Sequence, residues 1–318
     1  MSSLADTMTA LVDIGDPNLV VTPDAEFGSR TTYRVGGRAA ICVEANSAAA
    51  LSAALAVIEQ YGVDHVTLGR GSNMLVSDAG FGGVVLALGS WAEQITIDPP
   101  DSELSGSDEV IVVAGGAAQL PVVARRTASA GLTGFEWAVG VPGSIGGAVR
   151  MNAGGHGSDM AASLVSVDIV STGGVTTVDA SALGLGFRSS ELTDGQIVTA
   201  ARLAVRREDR DITMARVDDI VRWRRENQPG GQNCGSVFVN PEPGRVAAGE
   251  LIDRLGLRGF RVGTAEVSTK HANFIQADHG GRADDVAAVM AEVRGRVEAE
   301  TGYRLRSEVR LIGFTDSR

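Results

Sequence analysis

The sequence predicts an α+β protein built from more than one compact unit. Three observations lead to this fold class. A strand, a helix and a second strand follow one another near the start of the chain, a hairpin stands in its middle, and 318 residues exceed the usual size of one domain. The 41 glycines, against 3 Trp, 3 Tyr and 8 Phe, further predict tight turns and close approaches of the backbone.

The first elements alternate between strand and helix. ICVEA predicts a strand, and the next segment predicts a helix with Ser47 as its N-cap and Gly62 as its stop. Apolar strands at residues 66–68 and 84–88 enclose a loop that is rich in glycine. This order predicts an α/β unit.

The next block repeats the pattern and then changes to antiparallel strands. VIVVAGG predicts a strand, and QLPVVARRTASAGL predicts a helix that ends at Gly131. GFEWAVGVPGSIGGAVRMNAGGHG predicts a long connection of loop character, which at that length is usually functional. VSVDIV and VTTVDA predict a hairpin around residues 171–174, and IVTAARLAVR predicts a further strand.

The C-terminal part predicts a second unit that begins near Arg207. A charged helix over residues 212–226 leads into QPGGQNCGSVFVNPEPG, whose Pro and Gly content marks a boundary or a functional loop. VAAGELIDRLGL and DDVAAVMAEVRGRVEAETG predict helices, and YRLRSEVRLIG predicts a final alternating strand. The second helix has an apolar stripe that is typical of a core-facing helix: Val286, Met290, Val293 and Val297.

Composition excludes several classes of protein. The formal net charge of -11 disfavours nucleic acid and anionic membranes as partners, so local basic groups and backbone amides must hold any anionic ligand. No apolar run reaches about 18 residues, which argues against a transmembrane helix. The N-terminus lacks the pattern of a signal peptide, and Cys42 and Cys234 are the only cysteines, so we expect a cytoplasmic protein.

The sequence offers no metal site and no hydrolase triad. The four histidines, His65, His156, His271 and His279, are scattered, and no paired cysteines stand at ligand spacing. Lone histidines of this kind usually have surface or structural roles. No G-x-S-x-G elbow is present either.

Two glycine-rich loops suit an extended anionic ligand. Residues 69–73, GRGSN, follow a strand and offer flexible backbone amides, although a β-turn is the favoured explanation of this loop when it is taken alone. Residues 140–155 add a second run of unencumbered N–H groups, so the two loops could embrace a dinucleotide. Neither loop matches G-x-G-x-x-G, which disfavours a Rossmann domain.

Eight blocks in order carry a family resemblance: TTYRVGG, LGRGSNMLVSD, GLTGFEWAVGVPGSIGGAVRMNAGGHG, FRSSEL, NCGSVFVNP, AGELIDRLGLRG, VSTKHANFI and SEVRLIG. They resemble the UDP-N-acetylenolpyruvoylglucosamine reductase family over residues 27–313. The resemblance implies a two-subdomain FAD-binding fold of the vanillyl-alcohol-oxidase type over residues 15–206 and a separate α+β substrate-binding domain over 207–301. Residues 302–318 are expected to return to the FAD-binding half.

The resemblance also implies an activity. NADPH would reduce non-covalently bound FAD, which would then reduce UDP-N-acetylglucosamine enolpyruvate to UDP-N-acetylmuramate, a precursor of peptidoglycan. The expected partners are therefore this substrate and NADPH, in a monomeric protein that binds neither nucleic acid nor the membrane interior.

Positions that match the family's motifs imply a set of functional residues. Arg188, Ser236 and Glu308 match the catalytic positions, with Ser236 as the proton donor; each is ordinary on its own, as a turn serine or a surface charge. The implied FAD-binding residues are Tyr33, Arg34, Gly69, Arg70, Gly71, Ser72, Asn73, Met74, Gly140, Pro142, Gly143, Ser144, Gly146, Gly147, Asn152, Gly154 and Ile197. For the substrate, we expect Arg224, Arg225, Lys270 and Asn240, although a solvated surface explains the three charged residues equally well.

Two departures from the family's pattern affect these expectations. Phe187 replaces the tyrosine usual before the catalytic arginine, which puts one hydroxyl contact in doubt. The segment 205–233 is too short for a tyrosine-bearing substrate loop, which indicates the branch of the family without it. An FAD oxidase and a non-catalytic nucleotide-sugar binding protein are the alternatives, and the three matched catalytic residues argue against both.

Overall fold

Residues 4–97 and 108–314 are described by a computed structural model, and their contacts divide the chain into two units that interleave in sequence. Unit 1 comprises Met1–Pro23, Ile41–Arg70 and Gly83–Arg224, and unit 2 comprises Asp24–Ala40, Gly71–Gly82 and Arg225–Arg318. The domain ranges expected from the sequence, 15–206, 207–301 and 302–318, divide the chain differently and stay a prediction.

The described residues form helices and strands in the following order. The helices are α1 (Leu4–Asp13), α2 (Ala48–Tyr61), α3 (Leu120–Ser129), α4 (Ile145–Arg150), α5 (Arg210–Asn227), α6 (Ala248–Arg254) and α7 (Ala283–Thr301). The strands are β1 (Leu19–Glu26), β2 (Arg38–Ala45), β3 (His65–Leu68), β4 (Met74–Val76), β5 (Phe81–Leu88), β6 (Ile95–Ile97), β7 (Glu109–Gly115), β8 (Leu132–Thr133), β9 (Gly154–Gly155), β10 (Ser158–Asp159), β11 (Leu164–Ser171), β12 (Gly174–Asp179), β13 (Ile197–Arg207), β14 (Arg261–Val262), β15 (Ala265–Val267), β16 (Ile275–Ala277) and β17 (Arg310–Ile312).

Unit 1 contains most of a four-stranded sheet, β1-β2-β5-β3, and all of a six-stranded one, β12-β11-β13-β7-β6 with β8 beside β13. The predicted hairpin is confirmed, since Ser171 pairs with Gly174 at its turn. The predicted caps of α2 are confirmed as well: the Ser47 hydroxyl accepts a hydrogen bond from Ala50 N at 3.1 Å, and Gly62 ends the helix at φ +60°. A core of Val, Leu, Ile and Ala side chains fills the space between the second sheet and α3 and α4.

The expected loop character of residues 134–157 is wrong in part. Residues Glu136–Gly140 form a 3₁₀ turn, α4 follows at Ile145–Arg150, and β9 begins a small hairpin with β10. Gly146 and Gly147 lie inside α4, where glycine propensity argues against a helix. Burial of Ile145, Ala148 and Val149 against the core of unit 1 overrides that local preference.

Unit 2 is built around a three-stranded sheet, β14-β15-β16, and the long helix α7. The apolar stripe predicted on α7 is confirmed as core, because Val286, Met290, Val293 and Val297 are all buried. Asp78 caps this helix by accepting hydrogen bonds from Ala283 N at 3.0 Å and from the next backbone N–H at 3.2 Å. Strand β17 pairs in parallel with β4, also within unit 2.

The final strand is shorter than predicted, and two N-terminal elements were missed. Only Arg310–Ile312 is regular strand, because Ser307 Oγ turns back to donate to Val309 O at 2.9 Å. At the alternate apolar positions of YRLRSEVRLIG, Leu305 and Val309 are buried but Leu311 is only half-buried. Helix α1 and strand β1 were missed, since no element was predicted before ICVEA, and Pro23 inside β1 disguises the strand. Within the described ranges, no helix combines the length and the apolar character needed to cross a membrane.

Candidate functional site

Two glycine-rich loops approach each other in unit 1. Gly69 directly follows β3, and Ser144 directly precedes α4. A methyl group on Gly69 would lie 2.3 Å from the Ser144 hydroxyl oxygen, so a larger residue at this position would displace that hydroxyl. Within unit 1, the structure therefore brings the start of the first glycine-rich loop, at Gly69, beside the second loop at Ser144.

The second loop is fixed by backbone hydrogen bonds to the segment that leads into α3. Leu120 N donates to Gly143 O at 3.1 Å, and Gly146 N donates to Gly116 O at 2.8 Å. Gly143 has φ +143°, which strongly favours glycine. The loop is thus a rigid turn that precedes α4.

The residues of these loops fit the pyrophosphate of a dinucleotide such as FAD. A glycine carries no side chain that covers its N–H group, so glycine-rich loops can turn their N–H groups directly towards phosphate oxygens. Gly147 is exposed, and a methyl group on it would lie 3.7 Å from the Ser144 hydroxyl oxygen. Arg70 is exposed in the first loop and supplies positive charge. Among the residues described, no group of three or more His, Cys, Asp and Glu side chains could hold a metal ion.

Arg188 stands on a tight turn of unit 1 with a left-handed backbone. Its φ is +55°, a region that non-glycine residues rarely occupy. Ser189 N donates to Gly186 O at 3.3 Å and closes the turn. Phe187 is 58% exposed, and the Arg188 guanidinium lies 5.5 Å from its ring centroid. The phenylalanine that replaces the family's usual tyrosine is therefore a surface residue of unit 1 that packs on the arginine.

Ser236 and Glu308 lie on neighbouring segments of unit 2. Glu308 N donates to Val237 O at 2.8 Å, and Val239 N donates to Arg306 O at 2.9 Å, so the two segments run side by side. Both side chains are partly accessible. The structure thus places two of the three residues expected to be catalytic on segments that pair through their backbones.

The segment that carries Ser236 is held on its other side by Asn273. Phe238 N donates to Asn273 Oδ1 at 3.0 Å, and Asn273 Nδ2 donates back to Phe238 O at 2.9 Å. Val237 N donates to the backbone oxygen of Asn273 at 2.9 Å. A single residue, through its side chain and its backbone oxygen, therefore takes the place of a neighbouring strand. Sequence reasoning missed this role, for which the block VSTKHANFI was the only signal.

Asn73 connects the first glycine-rich loop to the Glu308 segment within unit 2. Its side-chain Nδ2 donates to Glu308 O at 3.0 Å, and its backbone oxygen accepts from Arg310 N at 3.0 Å. Met74, the next residue, is buried and pairs with Arg310 in the β4–β17 ladder. The backbone of Glu308 is thus hydrogen-bonded on both sides, since its N–H donates to Val237 O and its C=O accepts from Asn73.

Tyr33 lies in the core of unit 2, beside the Cys234 thiol. Within residues 4–97 and 108–314, no nitrogen or oxygen atom forms a hydrogen bond with its hydroxyl. Burial raises the pKa of Tyr33 well above its ordinary value, and Cys234 adds to this effect. Burial also raises the pKa of Cys234 to about 12, with a smaller contribution from the charge of Glu308. Both the Tyr33 hydroxyl and the Cys234 thiol are therefore neutral at pH 7. Arg34, the residue after Tyr33, is exposed and has a left-handed backbone with φ +54°.

The residues expected to bind the substrate, Arg224, Arg225, Lys270 and Asn240, differ in burial and in hydrogen-bond partners. Partial burial lowers the pKa of Arg224. The pKa of His156 is also lowered, mainly by burial and to a lesser extent by the charge of Arg224. The His156 ring packs edge-on against the Trp223 ring, with 5.0 Å between the ring centroids. Lys270 Nζ donates to the Arg225 backbone oxygen at 2.5 Å. The Asn240 side-chain oxygen accepts from the first N–H of α6 at 3.0 Å, which makes it a cap of that helix.

The predicted site residues are divided between the two units. Unit 1 holds Gly69, Arg70, Gly140, Pro142, Gly143, Ser144, Gly146, Gly147, Asn152, Gly154, Arg188, Ile197 and Arg224. Unit 2 holds Tyr33, Arg34, Gly71, Ser72, Asn73, Met74, Arg225, Ser236, Asn240, Lys270 and Glu308.

Comparison with protein families gives two matches. The C-terminal domain of UDP-N-acetylenolpyruvoylglucosamine reductases matches residues 227–312, and an FAD binding domain matches residues 39–179. The predicted α+β fold, with an FAD-binding domain and a separate C-terminal domain, is confirmed by these matches.

Individual proteins are similar over most of the chain. The UDP-N-acetylenolpyruvoylglucosamine reductase of Gloeobacter violaceus is 38% identical over 295 residues, which cover 92% of this chain and 96% of that protein. The protein of the same name from Syntrophotalea carbinolica is 37% identical over 311 residues, with 98% and 97% covered. The crystal structure of the Thermus caldophilus reductase aligns with a TM-score of 0.75 at 31% identity, covering 92% of this chain and 98% of that chain.

Proposed function

The chain belongs to the UDP-N-acetylenolpyruvoylglucosamine reductase family, and from this premise we propose that it reduces UDP-N-acetylglucosamine enolpyruvate to UDP-N-acetylmuramate with electrons from NADPH. The identity of 38% across 92% of the chain is the observation that carries the proposal. FAD, when bound, supplies the transfer of hydride from NADPH to the methylene carbon of the enolpyruvyl ether. A cytoplasmic location and a monomeric state stay predictions.

Arg188 is the proposed stabiliser of negative charge on the substrate. Addition of hydride to the methylene carbon places charge on the adjacent carbon and its carboxylate. A guanidinium offers a planar pair of N–H donors that match a carboxylate. The strained turn of Arg188 supports this role, because a rigid donor costs no reorganisation as the charge develops.

Ser236 is the proposed proton donor to the carbon that bears the carboxylate. A serine hydroxyl is a weak acid, so it can donate only to a strongly basic carbon and only from a fixed position. The hydrogen bonds on both sides of its segment, to Asn273 and to Glu308, support such a fixed position. Glu308 is proposed to act beside it, as a hydrogen-bonding partner of the substrate carboxylate.

The test is the appearance of UDP-N-acetylmuramate, followed by mass spectrometry, in a mixture of FAD-loaded protein, NADPH and the enolpyruvyl substrate. In D₂O, the carbon of the product that bears the carboxylate should carry deuterium from solvent. Ser236→Ala should slow product formation by at least about 100-fold if the hydroxyl is the donor. Absence of product from the wild-type protein would overturn the proposed function, whereas an unchanged rate in Ser236→Ala would overturn only the role of Ser236.

A further inference from the structure

The backbone of Arg188 needs support from its surroundings. At φ +55° it occupies the third position of the turn that Gly186 opens and Ser189 closes. A positive φ at this position favours glycine. A non-glycine residue persists in such a conformation where neighbouring groups hold it there.

Asn152 supplies that support. It follows α4, has φ +38° and is 5% exposed. Its Nδ2 donates to Gly186 O at 3.0 Å and to Asp159 Oδ2 at 3.3 Å, and its Oδ1 accepts from Ala161 N at 3.0 Å. An amide has two N–H donors and one oxygen, so each polar atom of this side chain is used within unit 1.

The same short segment also holds the chain that follows Arg188. Ser190 Oγ donates to Arg150 O at 2.7 Å, and the Arg150 guanidinium donates to Leu192 O at 3.1 Å and to Thr193 O at 2.7 Å. Residues 150–152 therefore fix the backbone on both sides of Arg188. On the N-terminal side of Arg188, this support is the hydrogen bond from the Asn152 side chain to Gly186 O.

We propose that Asn152 is a positioning residue for Arg188: by binding Gly186 O it fixes the strained turn, and so the direction in which the guanidinium is presented to an anionic group. This inference rests on the proposed function, in which that anionic group is the substrate carboxylate. The sequence resemblance implied contact with FAD at this position. The hydrogen bonds of the side chain assign that side chain to the turn of Arg188, and the implied contact with FAD stays a prediction.

Two substitutions separate the hydrogen bonds from the backbone conformation. Asn152→Gly tolerates φ +38° and removes all three side-chain hydrogen bonds. Asn152→Asp keeps an oxygen for Ala161 N but loses both donors, and its charge faces Asp159 and Gly186 O. Asn18→Gly is the control for the loss of an asparagine side chain, because Asn18 is exposed and, within residues 4–97 and 108–314, its side chain donates only to Asp16 Oδ1 at 3.1 Å.

The measurement is the rate at which the enolpyruvyl substrate reoxidises NADPH-reduced protein, together with FAD affinity and the thermal midpoint. We expect Asn152→Gly to slow reoxidation by about 10- to 100-fold, the range for a misplaced catalytic group, while FAD affinity stays within about threefold of wild type. Asn152→Asp should recover rate towards pH 5, because a protonated carboxyl can donate one hydrogen bond to Gly186 O. Asn18→Gly should match the wild type.

A double-mutant cycle with Arg188→Gly decides the mechanism. If Asn152 acts through Arg188, then adding Asn152→Gly to Arg188→Gly produces no further loss of reoxidation rate. A full additional loss in the double mutant, or a fall in FAD affinity that accounts for the slower rate, would overturn the inference and indicate a general structural or cofactor role. If the wild-type protein binds FAD but is not reoxidised by the substrate, the proposed function itself fails, which is visible before any variant is compared.

Discussion

Gly71, in the first glycine-rich loop, tests whether close backbone packing in unit 2 requires glycine. It is buried, with φ +59°, and a methyl group there would lie 2.6 Å from Thr31 Cα. That distance is about 1 Å inside ordinary contact between carbon atoms. Because the nearest atom belongs to the backbone, the clash cannot be relieved by a change of rotamer.

A matched control isolates the clash from the backbone conformation. Gly256 lies in the same unit at φ +67°, with nothing within 4 Å of the methyl position. Gly256→Ala should therefore cost only the left-handed conformation, about 1–2 kcal/mol. Gly71→Ala should cost that amount plus an overpacking cost of about 1–3 kcal/mol.

The assay is equilibrium unfolding in urea of both variants and the wild type, followed by circular dichroism. The reasoning predicts that the free energy of unfolding falls more for Gly71→Ala than for Gly256→Ala, by about 1–3 kcal/mol. FAD affinity should fall in Gly71→Ala and stay unchanged in Gly256→Ala. Equal losses of stability in the two variants would refute the claim that contact with Thr31 excludes a side chain at Gly71.

Three further predictions concern single groups. The Cys234 thiol, with its pKa raised to about 12 by burial, should be alkylated at pH 8 much more slowly in native protein than in urea, and equal rates by peptide mass spectrometry would contradict its burial. The Arg202 guanidinium holds the pKa of Asp168 below its usual range, so this pair stabilises the fold above about pH 4 and loses its effect as the pH falls through the lowered value. Asp168→Asn should thus lower the thermal midpoint at pH 7 and have a smaller effect near pH 3; a constant difference would rule out the ion pair as its cause. Asp78→Ala should cost about 1 kcal/mol in urea unfolding, because α7 loses its N-terminal cap, and no change would show that solvent replaces the carboxylate.

Local features of the fold could be predicted from the sequence. Ser47 and Gly62 bound α2 because a capping hydroxyl and a left-handed glycine act on their immediate neighbours. The stripe on α7 and the hairpin turn at residues 171–174 follow from periodicity in the same way. The two glycine-rich loops were located because glycine clusters mark close approaches of the backbone.

The support of the candidate site could not be predicted, because it depends on contacts between distant parts of the chain. Asn152 reaches Gly186 and Asn273 reaches Phe238, and a lone asparagine carries no sign of its partner. Helix α4 was missed because Gly146 disfavours a helix locally, whereas burial of the apolar residues of α4 stabilises it. The late start of the final strand, at Arg310, follows a side-chain hydrogen bond of Ser307 to Val309 O.

The central claim is that this chain passes electrons from NADPH through FAD to an enolpyruvyl ether of a UDP-sugar. Its most direct test is anaerobic addition of NADPH to the FAD-loaded protein, followed by UDP-N-acetylglucosamine enolpyruvate, with the flavin absorbance recorded throughout. We predict that the absorbance near 450 nm is lost with NADPH and returns when the substrate is added, with about one substrate consumed per flavin. Loss of absorbance with no return on adding the substrate would contradict the claim, and would leave a flavoprotein that acts on a different acceptor.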